Sequence, residues 1–203
     1  MELHYFHAMN PRKACAVAKL LKLPMTYRLV DVAGGGLRTA EFLALNPNAK
    51  APVLVDGDLK LSEAAAILVY LVNQAGSDLW PGTADQQVEV LRWISWDAWE
   101  WAPAIGTFYF EHGIKPVFGL GAPDQALLAS KAPRVAKLAA ILDAHVASTD
   151  YLANGRLSVA DFHVAAMLPD WQAHHMPLGD YRHLLAWHER LMAIPEWRDP
   201  WPA

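Results

Sequence analysis

Ser62 and Glu63 stand between an apolar strand pattern and the run Ala64-Ala65-Ala66-Ile67-Leu68-Val69-Tyr70-Leu71, so a helix is expected to open there. Its first N–H groups have no partner within the helix, and such a terminus set directly after a strand is an anion site. Ser62 takes the N-cap position. Asn10-Pro11 forms a second opening: Asn caps, and Pro at the first helical position lacks an N–H that would be unpaired anyway. Cys15 is the single cysteine; it excludes an intramolecular disulfide framework, and without Cys-x-x-Cys a dithiol oxidoreductase is a poor reading. It falls some way into the first helix, away from the positive end, where a buried inert thiol is the favoured reading. The 9 histidines have no metal-ligand spacing. His174 and His175 are adjacent, His183 and His188 are five apart, and neither pair suits two ligands on one helix face, so no metal is expected.

The elements that must position these residues follow from hydrophobic periodicity. Leu3–Phe6 and Met25–Val30 are strand candidates, joined by a helix from Pro11 to about Leu21, which makes them parallel neighbours. After Gly34-Gly35-Gly36 comes a short helix, Thr39–Leu45, ended by Asn46-Pro47. Asp56-Gly57 between Val53-Leu54-Val55 and Leu59-Leu61 is a hairpin signal, because both residues tolerate the positive φ of a tight turn. A helix from Ser62 to about Gln74 completes a β-α-β-α-β-β-α order. The turn-rich connector 75–83 then changes the composition, and no strand pattern follows it. Asp85 to about Phe110 reads as a helix broken or bent at Pro103, 113–124 as a loop, and Asp124 to about Ala147 as a helix with a bend or start at Pro133. Leu157-Ser158-Val159-Ala160-Asp161-Phe162 carries a shortened capping box, Ser158 with Asp161, and a staple, Leu157 with Phe162. A last helix runs from about Tyr181 to Met192.

Composition sets the limits. The chain has 203 residues, 54% apolar and 19% charged, enough for a substantial core and against disorder. Net charge is −4 with no Lys/Arg cluster, which argues against a nucleic-acid or anionic-membrane surface. The longest wholly apolar run, Ala64–Val72, is too short to span a bilayer. The opening Met1-Glu2-Leu3-His4 lacks signal-peptide features, and the expectation is a cytoplasmic protein.

Three segments carry a family resemblance. Asn46-Pro47-Asn48-Ala49-Lys50-Ala51-Pro52-Val53-Leu54 is similar to the N-P-x-x-K-x-P-x-L of the cytosolic glutathione S-transferases. Leu61–Ile67 is similar to that family's L-x-E-S-x-A-I, and Gly155–Asp161 to its G-x-x-[ST]-x-A-D. The chain thus resembles a bacterial member of undetermined class. The resemblance implies an α/β thioredoxin-like domain, 1–76, that binds glutathione, and an all-α domain, 85–203, that lines the electrophile site. It also implies glutathione as co-substrate, a small hydrophobic electrophile, a homodimer and a cis second proline.

The implied reaction is attack of the glutathione thiolate on an electrophile, and the enzyme's task is to favour the thiolate over a thiol of pKa roughly 8.5. Asn10 stands where the family often places its catalytic Ser. The expectation is that its oxygen caps the helix while its amide N–H points at sulfur. An ordinary N-cap is the competing account. Tyr5, at the end of the first strand, and Cys15, after Lys13-Ala14, are rival thiolate contacts that other classes suggest. Lys50, Ala51, Pro52, Glu63 and Ala64 are the implied glutathione-binding residues: Lys50 for the glycyl carboxylate, the Ala51 backbone before Pro52 for the cysteinyl unit, and Glu63 with the Ala64 N–H for the γ-glutamyl end. Ala64 replaces the family's Ser and so lacks a hydroxyl for that carboxylate. Among the aromatics, Trp96, Phe108 and Tyr109 are expected at the electrophile site, with Trp93, Trp96 and Glu100 on one helix face and Trp99 and Trp101 pointing elsewhere. A non-catalytic binding module of the same fold and a glutathione-dependent peroxidase remain as alternatives.

Overall fold

The computed structural model describes residues 1–202. The chain divides into two compact units, Met1–Trp80 with Ile194–Ala203, and Pro81–Ala193. The final segment therefore lies with the first unit, not with the helical half expected to run to residue 203.

In the first unit, β1 (Glu2–Tyr5), β2 (Thr26–Leu29), β3 (Val53–Asp56) and β4 (Leu59–Ser62) form one sheet in the order β2-β1-β3-β4. β1 and β2 are parallel, as the helix-length connection predicts, with Leu3 opposite Tyr27. β3 runs antiparallel to both β1 and β4, and Gly57, at φ +58°, turns the hairpin. α1 (Met9–Leu20) packs against α3 (Ala64–Gln74) and against α10 (Pro195–Arg198). Leu3, Val17, Val53, Leu54, Ile67, Leu68 and Leu71 are wholly buried and make this unit's core. The short α2 (Ala40–Leu43) is capped by Thr39, whose hydroxyl accepts from the Phe42 N–H at 3.2 Å.

The second unit contains α4 (Ala84–Trp96), α5 (Ala102–Phe108), α6 (Lys115–Phe118), α7 (Gln125–Val146), α8 (Val159–Val164) and α9 (Arg182–Met192). The expected helix over 85–110 loses its regular α-helical form just before Pro103. It widens into π-turns at Asp97–Trp101 and again at Tyr109–Ile114. Pro103 has no N–H for the carbonyl four residues back, and the widened turn immediately before it absorbs that missing bond. The second π-turn and α6 also fill part of the expected loop 113–124. Pro133 lies inside a continuous α7.

Asp161 organises the start of α8. One carboxylate oxygen accepts from the Leu152 N–H (2.9 Å) and the Trp187 indole (3.0 Å); the other accepts from the Ser158 N–H (2.9 Å) and hydroxyl (3.1 Å). Asp161 thus bonds back to the cap as its spacing predicts, and it also ties in α9 and the segment before the cap.

Candidate active site

The start of α1 differs from the expectation. The N-cap is Ala8, in extended conformation with φ −155°, and Asn10 lies inside the first turn. Asn10 therefore does not cap, because Pro11 sits at the third helical position and the helix begins two residues earlier than an Asn-Pro opening implies. The first intrahelical bond is Arg12 N–H to the Ala8 carbonyl, so the Met9 and Asn10 N–H groups precede the ladder and Pro11 has none. Among the described residues the half-buried Asn10 carboxamide makes no hydrogen bond, which leaves its donors available at a positive helix end.

The two rivals are less suited. Cys15 is wholly buried, and burial pushes its thiol up to about 12, so it stays protonated and inert. Tyr5 is buried in the core side of β1, makes a T-shaped contact with Tyr27 at 6.1 Å, and is likewise raised by burial.

The segment before β3 is built by Asn46, which the sequence marks as a helix stop and as the first residue of the family motif but not as a turn-closing side chain. Asn46, 3% exposed, donates to the Lys50 carbonyl at 2.7 Å and accepts from the Asn48 N–H at 3.0 Å. Its side chain closes the turn that delivers Lys50 and Ala51 to the cis Ala51–Pro52 bond. The Asn-Pro pair was the available signal, since Asn side chains commonly close turns on nearby backbone. Lys50 is exposed, Ala51 is half-buried, and Pro52 is buried at the entrance to β3.

The second helix start is also displaced by one residue. Ser62 ends β4, and Glu63 is the N-cap of α3. Glu63 holds φ +68° and ψ +116°, a conformation that costs a non-glycine residue on the order of 1–3 kcal/mol. Its exposed carboxylate makes no capping bond. The first α3 bond runs from the Ile67 N–H to the Glu63 carbonyl, so the Ala64 N–H precedes that ladder, with the Ala64 side chain 6% exposed.

In the helical unit, Trp96 makes an edge contact with Trp93 at 5.3 Å and stacks on Trp101 at 5.9 Å, with planes 14° apart. Trp101 was expected to point away from Trp96. The π-turn between them carries more residues per turn, which brings positions five apart onto one face. The Trp101 indole also donates to the Val164 carbonyl at 3.2 Å. Phe108 is 5% exposed, while Tyr109 is half-buried beside His174 at 5.1 Å. Trp99 is 82% exposed. One buried pair had no sequence signal: His163 Nδ1 lies 2.8 Å from Asp97 Oδ2. A groove of about 330 Å³ beside Asp150, His183 and Arg190 holds none of the expected site residues.

Comparison with known proteins decides the family. Residues 1–73 match the N-terminal domain of glutathione S-transferase, and residues 98–195 match its C-terminal domain. The chain belongs to the glutathione S-transferase family. This transferase is 34% identical to glutathione S-transferase 3 of Zea mays over 174 residues, 82% of this chain and 77% of that one. It is 28% identical to a glutathione S-transferase structure from Pseudomonas fluorescens, with TM-score 0.83 over 95% of this chain and 94% of that one. Its fold also matches glutathione S-transferase I bound to lactoylglutathione, with TM-score 0.88 at 24% identity over 98% and 97% of the two chains. The transferase thus has the expected thioredoxin-like domain and helical domain, with glutathione as co-substrate.

Proposed function

We propose that the transferase conjugates the glutathione thiolate to small apolar electrophiles, with Asn10 donating its amide N–H to the sulfur. The observation that carries this reading is the uncommitted Asn10 carboxamide in the first turn of α1. Sulfur placed there meets a fixed donor and the positive helix end, and both favour the anion. Asn has no basic group, so it stabilises the thiolate and takes no proton. Each pKa unit by which the thiol is lowered corresponds to about 1.4 kcal/mol.

The remaining assignments follow the chemistry of the tripeptide, with the sheet-containing domain holding glutathione. Lys50 pairs with the glycyl carboxylate. Ala51, held ahead of Pro52, offers its backbone to the cysteinyl unit. Glu63 and the Ala64 N–H take the γ-glutamyl end, where the helix start favours the carboxylate and Glu63 the ammonium. The positive φ of Glu63 supports this assignment, because such strain persists where a site requires it. Trp96, Phe108 and Tyr109 of the helical domain are assigned to the electrophile, with Phe108 contributing from the buried side.

Retention on immobilised glutathione followed by a chlorodinitrobenzene conjugation assay tests the reading. A protein that neither binds nor conjugates would be a binding module; one that binds and reduces hydroperoxides but does not conjugate would be a peroxidase. Ala64→Ser is expected to restore a hydroxyl for the γ-glutamyl carboxylate and to tighten glutathione by roughly 10- to 100-fold, given roughly 1.5–3 kcal/mol for a hydrogen bond to a charge. Calorimetric titration of both proteins checks it, and equal affinities would move the γ-glutamyl site away from residue 64.

A cytoplasmic homodimer is part of the same reading. Val88 and Leu91 are 64% and 53% exposed one turn apart on α4, an apolar stripe suited to a partner subunit. Leu91→Glu is expected to shift sedimentation toward the monomer. A wild-type protein that sediments as a monomer at micromolar concentration overturns the dimer.

A further inference from the structure

The tail after α10 returns to the turn that begins the catalytic helix. Trp201 stacks on His7 with ring centroids 4.4 Å apart and planes 18° apart. It also lies near-parallel to Tyr5, at 6.2 Å and 17°, and Tyr5 and His7 are themselves 6.2 Å apart at 24°. Three rings therefore span the point where β1 passes into α1.

The tail is fixed to α1 along its length. Trp197 is wholly buried, and Arg12 donates to its carbonyl at 2.5 Å with the guanidinium 5.0 Å from the Trp197 ring centre. Lys19 donates to the Asp199 carbonyl at 2.6 Å and to the Trp201 carbonyl at 3.1 Å. Arg12 and Lys19 lie two turns apart, on one face of the helix, so both can hold a chain laid along it.

We propose that Trp201 is a positioning residue for Asn10. This inference rests on the functional reading above and adds the part that aims its donor. The cap residue of α1 is Ala8, which has no side-chain acceptor, so this helix start lacks the usual local brace. His7 is the residue just before that cap. Trp201 fixes the His7 ring, hence the β1–α1 turn, and hence the direction in which the Asn10 amide and the first N–H groups point. A small rotation of that turn moves the donor off the sulfur while leaving the Lys50–Ala51 and Glu63–Ala64 contacts in place, so the thiolate loses more than binding does.

The test uses the full chain with Trp201→Ala and Trp201→Phe. Trp201→Ala is expected to keep glutathione affinity within about twofold while raising the titration of the bound thiol by about one pH unit, which is about tenfold less thiolate below that pH. Ultraviolet titration of the bound thiolate and the pH profile of kcat/KM both read this. Trp201→Phe, which keeps a stacking ring, is expected to restore the wild-type titration. A bound thiol that titrates as in wild type in Trp201→Ala overturns the proposal, and so does a shift that Trp201→Phe fails to recover. Amide hydrogen exchange over residues 6–10 tests the brace without any ligand: faster exchange in Trp201→Ala supports it, and unchanged exchange overturns it. Failure of the wild-type protein to bind or conjugate glutathione would instead overturn the functional reading, with the exchange result still deciding the brace.

Discussion

Asn10→Ala is expected to lower kcat about 100-fold, the scale seen when one preorganised donor to a developing or stabilised anion is removed. The KM for glutathione should change much less, because Lys50, Ala51, Glu63 and Ala64 are assigned to the rest of the tripeptide. Stability separates this role from an ordinary structural one. If Asn10 capped α1, its loss would cost about 1 kcal/mol. The cap is Ala8 and the Asn10 carboxamide bonds to nothing among the described residues, so Tm should move by less than about 2 °C. Steady-state kinetics with a melting curve check both halves. A silent Asn10→Ala beside an inactive Tyr5→Phe would transfer the role to Tyr5, despite its burial.

Asp161→Ala is expected to have the largest effect on stability, about 3–5 kcal/mol, because it strands the Leu152 and Ser158 N–H groups, the Ser158 hydroxyl and the Trp187 indole in a buried site. A Tm decrease on the order of 10 °C follows. The same carboxylate gives a pH dependence with a definite sign. Burial pushes Asp161 from 3.8 up to about 6, against the lowering by its four donors. A folded-state value above the unfolded one means this group's favourable contribution is complete below about pH 4 and is lost as pH rises through about 6. Asp161→Asn does not titrate, so the stability gap between wild type and Asp161→Asn should be widest near pH 4 and narrower at pH 7. Denaturant midpoints at the two pH values check this, and a gap that widens with pH would reverse the assignment.

These residues differ in how far they could be read in advance. The Gly155–Asp161 box and the Val53–Ser62 hairpin were legible because their determinants lie within a few residues of each other. The bond from Asp161 back to Ser158 spans three positions, whereas its bond to Trp187 spans 26 and had no local sign. Family resemblance pointed to Asn10, but not to its place inside the helix: Asn-Pro favours a cap at Asn10, and the chain instead enters α1 at Met9. The Trp96–Trp101 stack was hidden for a similar reason, since helical spacing assumes uniform turns and this helix widens between them.

Sequence alone determined the β-α-β-α-β-β-α order of the first unit and the family, because periodicity, turn chemistry and short motifs are local and repeat from one member to the next. Only the tertiary structure decided that the Asn10 carboxamide has no hydrogen bond among the described residues, that Asn46 closes the turn before Ala51, that Asp97 meets His163, and that Trp201 lies on His7. The last two contacts join positions far apart in the chain, and it is packing, not local preference, that selects which distant side chains meet.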